Sequence, residues 1–181
     1  MLVDLEYTSW QGAMARGWSR PDEHRELVQI GAVHLDAGKG FSEIAALDIL
    51  VRPERNPVLS DYFVALTGIT NERLAAGGTD LPTALGALVG FSDGAPCHSN
   101  GADGAVVAEN CALLAIDNPL PETQWRDIAP ALQDLLGRRE VSSADIPALL
   151  GLPAPGPAHD ALADARAIAA GLRHWRLRGV I

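Results

Sequence analysis

Near the start of the chain, Leu2-Val3-Asp4-Leu5-Glu6-Tyr7-Thr8 places two carboxylates inside an otherwise strand-like, largely apolar run. Side chains alternate along a strand, so Val3 and Leu5 face one side while Asp4 and Glu6 share the other, roughly 6.5–7 Å apart. Two unpaired acids among apolar neighbours repel each other and cost desolvation free energy, so this strand needs a compensating charge. A hard divalent cation suits the pair. The same pattern fits the solvated face of an edge strand.

Three further residues share this ambiguity. Asp103 follows Ala95-Pro96-Cys97-His98-Ser99-Asn100 and opens an apolar helical stretch through Val106, Val107, Cys111 and Leu114, where a helix cap is an ordinary use of Asp. His159 follows the rigid run Pro153-Ala154-Pro155-Gly156-Pro157 and precedes a strong helix, so it fits a surface histidine of a first turn. Asp164 fits a solvent-facing helical position. Each has a structural explanation, yet together they leave four acids and one histidine at element ends.

The pattern is α/β. Residues 1–7, 27–35 and 44–51 read as three strands of a meander, with Asp36-Ala37-Gly38-Lys39-Gly40 as turn chemistry between the second and third. Ser60 can cap a short helix through Leu66, Thr70 another through Ala75, and Asp80 with Pro82 a third to Phe91. A fourth strand near 95–99 leads to the Asp103 helix, a fifth surrounds Trp125-Arg126-Asp127-Ile128, and Ala161–Leu177 forms the last helix.

The 181 residues, 48% of them hydrophobic, suffice for one core, and no linker separates two domains, so 1–181 reads as a single domain. No apolar run approaches the roughly 20 residues of a membrane span, and the strand at residue 2 leaves no room for a signal peptide, which together predict a cytoplasmic protein. Cys97 and Cys111 form neither a disulfide framework nor a Cys-x-x-Cys zinc motif and are expected as buried free thiols. A net charge of −9 argues against a long, phosphate-gripping footprint on nucleic acid.

Asp4-x-Glu6, Asp103 and His159-x-Ala161-x-x-Asp164, in this order, resemble the four acids and histidine of the DEDDh 3′→5′ exonucleases. That group includes ribonuclease T, oligoribonuclease and polymerase proofreading subunits. Leu27-Val28-Gln29-Ile30-Gly31-Ala32-Val33 resembles the family's second strand. Asn56-Pro57-Val58-Leu59-Ser60 and Leu66-Thr67-Gly68-Ile69-Thr70 resemble its substrate-side segment. The resemblance implies a ribonuclease H-like mixed five-stranded sheet flanked by helices.

It also implies two divalent ions, Mg²⁺ or Mn²⁺, held by Asp4, Glu6, Asp103 and Asp164, with Asp4 shared between them. His159 is then the general base, a role that suits an imidazole near neutral pH. The expected reaction removes nucleoside 5′-monophosphates from single-stranded RNA or DNA 3′ ends over a short footprint. By resemblance, backbone groups of Tyr7 and Thr8 hold the terminal 3′-hydroxyl, Trp10 forms a wedge beside the last base, and Ile69 packs on the base's other side. Two features depart from the family pattern: Ala102 stands where an aromatic often precedes the second-motif acid, and the loop from Gln11 to Glu26 is long and contains Trp18. Two alternatives stay open: a non-catalytic nucleic-acid-binding or partner-docking module, and a proofreading-type subunit to which a polymerase lends grip. A homodimer is also compatible with the sequence.

Overall fold

The computed structural model describes Met1–Ile181. Strands β1 (Leu2–Tyr7), β2 (Leu27–Asp36), β3 (Ser42–Leu50), β4 (Cys97–Ser99) and β5 (Trp125–Asp127) form one sheet in the order β3-β2-β1-β4-β5. β1, β2 and β3 pair antiparallel, whereas β4 and β5 add in parallel on the other side of β1. Parallel neighbours need long crossovers, and helices provide them. α1 (Asp61–Thr67), α2 (Asn71–Gly77) and α3 (Leu81–Ser92) lie between β3 and β4, and α4 (Asp103–Leu113) between β4 and β5. α5 (Ala129–Leu136), α6 (Ile146–Leu149) and α7 (Ala161–Leu177) come after β5. No helix is long and apolar enough to cross a membrane.

Three expected caps form: the Ser60, Thr70 and Asp80 side chains accept from the N–H groups of Phe63, Arg73 and Thr83 at 3.1, 3.2 and 2.8 Å. α5 and α6 were not expected from the sequence. Both are short, and their marker is a proline in the first turn, Pro130 and Pro147, where the missing N–H costs nothing.

The central strands β1 and β2 are covered on both faces, whereas the edge strand β3 is largely exposed. Val3 and Leu5 pack with Leu85 and Leu88 of α3 and with Val106 and Val107 of α4. Leu2, on the opposite face, meets Val33, Ile168 and Trp175 in the core beneath α7. Asp4 and Glu6 continue that second face of β1. A smaller cluster of Val28, Leu59, Phe63, Ile69 and Leu74 anchors α1 and α2. Cys97 and Cys111 are buried free thiols, and burial pushes the Cys97 thiol up to about 11, which keeps it protonated and inert.

Two buried polar residues set the position of the loops. Glu26 is 2% exposed, and its carboxylate accepts from the backbone N–H groups of Glu54, Arg55 and Asn56 at 2.8, 2.8 and 2.6 Å. It thereby ties the segment leading to α1 against the start of β2. Gln29 accepts from Ala161 N at 3.0 Å and donates to Asp160 Oδ2 at 3.2 Å and Asp48 Oδ1 at 2.8 Å. These bonds hold the first turn of α7 on the sheet.

That contact also needs Gly31, the cross-strand partner of Asp4. A Cβ on Gly31 would sit 2.2 Å from both the Ala161 carbonyl carbon and the Leu162 nitrogen, all of it backbone that cannot rotate away. Gly31→Ala is therefore expected to destabilise the protein by about 1–3 kcal/mol or more through overpacking. Gly86→Ala is expected to stabilise it by about 0.4–1 kcal/mol, because nothing lies within 4 Å of a Cβ there on α3. Urea denaturation of both variants beside wild type checks the opposite signs.

Candidate active site

Beyond the middle of β1 the sheet opens into a cleft of about 350 Å³. Asp4 and Glu6 enter it from β1, Asp103 from the first residue of α4, and His159 and Asp164 from the start of α7. Ligand atoms of Glu6, His159 and Asp164 lie within 4.8 Å of one another. Asp4 and Asp103 line the same cleft outside this tight trio.

Local geometry delivers each group. Gly101 turns the chain out of β4 at φ +123°, and its N–H donates to Asp127 Oδ1 at 3.0 Å. Ala102 takes the cap position of α4, so Asp103 is the first helical residue rather than the cap. Asp160 caps α7 by accepting from Ala163 N at 3.0 Å, which leaves His159 just outside the helix at φ +59°. A non-glycine residue in that left-handed region is strained, and here the backbone N–H of His159 donates to Asp164 Oδ2 at 3.3 Å. Asp164 is 6% exposed, not the solvent-facing residue that its helical position alone suggests.

The electrostatics are one-sided. Burial first, then the neighbouring Asp103, Asp164 and Glu6, holds the Asp4 carboxyl well above the usual carboxylate range. Burial and then Asp164, Asp103 and Asp160 push Glu6 up to about 8. Burial and Asp127 raise Asp103 to about 7, and burial raises Asp164 to about 6 against the lowering effect of the His159 N–H. The cleft wall contains no lysine or arginine to offset these acids. Clustered oxygen ligands without a cationic side chain fit hard divalent ions.

Of the four residues expected to contact substrate, Tyr7 lines the cleft and Thr8, Trp10 and Ile69 do not. Tyr7 lines the cleft, its ring edge-on to Trp18 at 5.7 Å. Thr8 is buried and its backbone is already committed: its N–H donates to Glu26 O at 2.8 Å and its carbonyl accepts from Trp18 Nε1 at 3.2 Å. Trp10 is not on the cleft wall. The chain turns after it, with Ala13 N donating to Trp10 O at 2.8 Å, and brings Met14 and Trp18 to the wall instead. Ile69 is 0% exposed because the left-handed Gly68 turns it into the cluster with Phe63 and Leu74. Tyr62 and Leu66 of α1 line the cleft in its place. Their spacing of four residues, which puts two apolar side chains on one helix face, is the sequence signal that would have found them.

A ribonuclease H-like sheet with acids gathered over its central strand defines a nuclease-type fold. The family model for exonucleases of the RNase T type matches residues 1–172, and the chain belongs to that family. No curated protein sequence matches it significantly. Among solved structures, the nuclease domain of 3′hExo, a DEDDh family member bound to rAMP, is similar with a TM-score of 0.82 at 20% identity, covering 99% of this chain and 92% of that one. Cell-death related nuclease 4 gives a TM-score of 0.76 at 20% identity over 98% of this chain and 63% of that one. Exonuclease I of E. coli, in complex with single-stranded DNA, gives 0.69 at 16% identity over 98% of this chain and 40% of that one.

The raised carboxyl groups link stability to pH. Their folded values lie above those of the unfolded chain, so the folded metal-free protein retains protons that the unfolded chain releases. Their contribution is fully present below about pH 4 and is lost as pH rises through about 6 to 8. Asp4→Asn removes one such group. With chelator present, its melting temperature relative to wild type is expected to rise steadily between about pH 5 and pH 8. Thermal melts across that range check this, and a difference that falls with pH would contradict it.

Proposed function

We propose that the protein is a metal-dependent 3′→5′ exonuclease of the DEDDh type that releases nucleoside 5′-monophosphates from single-stranded RNA or DNA. Family membership supports a nuclease. The observation that carries the finer reading is the meeting of four carboxylates and one imidazole in one cleft. Asp4, Glu6, Asp103 and Asp164 would hold two divalent ions, Mg²⁺ or Mn²⁺. When bound, such ions neutralise the acids and the charge that develops on the phosphodiester oxygens.

The chain's own groups orient the reactants. His159 accepts a proton from the attacking water as the new P–O bond forms and the bond to the 3′-oxygen of the remaining strand breaks. Tyr7, Met14, Trp18, Tyr62 and Leu66, which line the cleft, would face the terminal nucleotide. Met14 is 78% and Tyr62 41% exposed, and both line the cleft, where they would offer a surface on which a base can stack. Stacking of this kind contributes about 1–3 kcal/mol per base without sequence preference. Residues 1–181 act as one exonuclease unit in the cytoplasm on a short stretch of strand. The net charge of −9 favours a second copy or a polymerase-type partner where longer substrates must be held.

End-labelled RNA and DNA oligomers should shorten from the 3′ end with Mg²⁺ or Mn²⁺ and stay intact with chelator. Asp4→Ala and Asp164→Ala are each expected to lose about a thousandfold in rate, equivalent to several kcal/mol of transition-state stabilisation. His159→Ala is expected to lose about 10²–10⁴-fold while binding Mn²⁺ like wild type, because it moves a proton and holds no ion. Full activity in Asp4→Ala would remove this mechanism. Leu66→Ala and Tyr62→Ala should raise KM, whereas Trp10→Ala, away from the cleft, should leave it unchanged.

A further inference from the structure

The connection between α5 and α6 carries Ser143 into the cleft beside Asp4, and the chemistry above gives it no part. Ser143 is buried, and its Oγ lies 3.4 Å from Asp4 Oδ1. It is the one side chain that hydrogen-bonds to Asp4. Behind it stands Asn100, at the end of β4, whose Nδ2 donates to Ser143 Oγ at 3.1 Å and to the Val141 carbonyl at 2.8 Å.

The direction of this chain of bonds is set by chemistry. An amide nitrogen only donates and a carbonyl only accepts, so the bond to Val141 fixes the Asn100 amide and makes Ser143 Oγ the acceptor of its second N–H. The hydroxyl proton of Ser143 is then free for Asp4, which has no proton to offer once ionised. We propose that Asn100 and Ser143 form a donor relay that sets the rotation of the Asp4 carboxylate, making Ser143 a positioning residue for divalent-ion binding. This rests on the function proposed above.

A hydroxyl suits that task better than a cationic side chain. Lys or Arg at this point would neutralise Asp4 and compete with the ion, whereas a neutral donor orients the carboxylate and leaves its charge in place. The relay also joins three separate parts of the chain at the acid that stands among the other three: β1, the end of β4 ahead of Asp103, and the α5–α6 connection. Partners of this kind behind a metal ligand typically contribute 10–100-fold to affinity.

Calorimetric titration of the full chain with Mn²⁺ tests the relay, together with turnover on a single-stranded oligomer. Ser143→Val and Ser143→Thr have the same shape and differ in the hydroxyl, so any cost of added bulk is common to both. Ser143→Val is expected to weaken Mn²⁺ binding about tenfold and to lower kcat more than it raises KM, with Ser143→Thr restoring both. Adding Asn100→Ala to Ser143→Val should cost little more than Ser143→Val alone, since the two act as one unit. Melting with chelator should be alike for the Val and Thr variants. Val and Thr variants that bind Mn²⁺ equally well, or a Val loss matched by a lower chelator melting temperature, would overturn the relay and leave the exonuclease proposal standing. Failure of wild type itself to bind Mn²⁺ would overturn both.

Discussion

The geometry of the candidate site depends on how closely the first turn of α7 can approach β2. Gly31 leaves room for backbone to rest on backbone there, and Gln29, two residues earlier on the same face, fastens that turn by bonding to Ala161 and Asp160. A larger residue at 31 would lift the helix, and with it His159 and Asp164, away from the strand that carries Asp4 and Glu6. The alanines of α7 serve the same end. Ala161, Ala165 and Ala169 are buried and short, so a long helix can lie flat on the sheet while its first turn stays close to β1.

That approach has an electrostatic cost, which the rest of the molecule must offset. Burial is the largest cause of the upward shift at each of the four acids, with mutual repulsion second for Asp4 and Glu6. In the isolated strand, repulsion between neighbouring carboxylates looks foremost. The order reverses in the fold because the acids sit where α4, α7 and the α5–α6 connection close over the strand, so water is displaced before charges meet. Stability comes from the apolar clusters on both faces of the sheet, and the cleft draws on it. The same arrangement favours divalent cations, because ions bind where carboxylates have lost water and have no protein cation in reach.

The sheet and most helices are legible in the sequence because their signals are local. The Asp4-x-Glu6 strand, the caps at Ser60, Thr70 and Asp80 and the alanine-rich final helix each declare themselves within a few residues. The five residues of the candidate site can be gathered only by resemblance, since nothing local says that β1, α4 and α7 converge. The lining of the cleft is less legible in the sequence for a related reason. Trp10 and Ile69 are apolar residues near the right motifs, but a 3₁₀ turn after Trp10 and the left-handed Gly68 reverse which neighbours face the cleft. Ser143 is invisible in the sequence because its meaning lies in contacts with Asn100 and Asp4, distant along the chain.

The acidic balance has a structural counterpart in how the arginines are used. Arg16 donates to Glu23 through Nε at 2.8 Å, Arg25 to Glu109 at 3.0 Å, and Arg166 to Glu43 at 3.1 Å. Arg25 also lies over the rings of Tyr7 and Trp18, 5.9 and 5.5 Å from their centroids, so it stiffens one wall of the cleft instead of reaching across it. Arg126, Arg173 and Arg176 are drawn onto nearby carbonyl oxygens. Arginines paired in this way are less available to release counterions from a phosphate backbone. On the function proposed above, binding energy on the protein side would come from the cleft residues Met14, Tyr62, Leu66 and Trp18 acting on bases, while the acids would act through the cations they hold. On that proposal, a cleft with this lining and a chain of net charge −9 would stack on the end of a strand and grip few nucleotides beyond it.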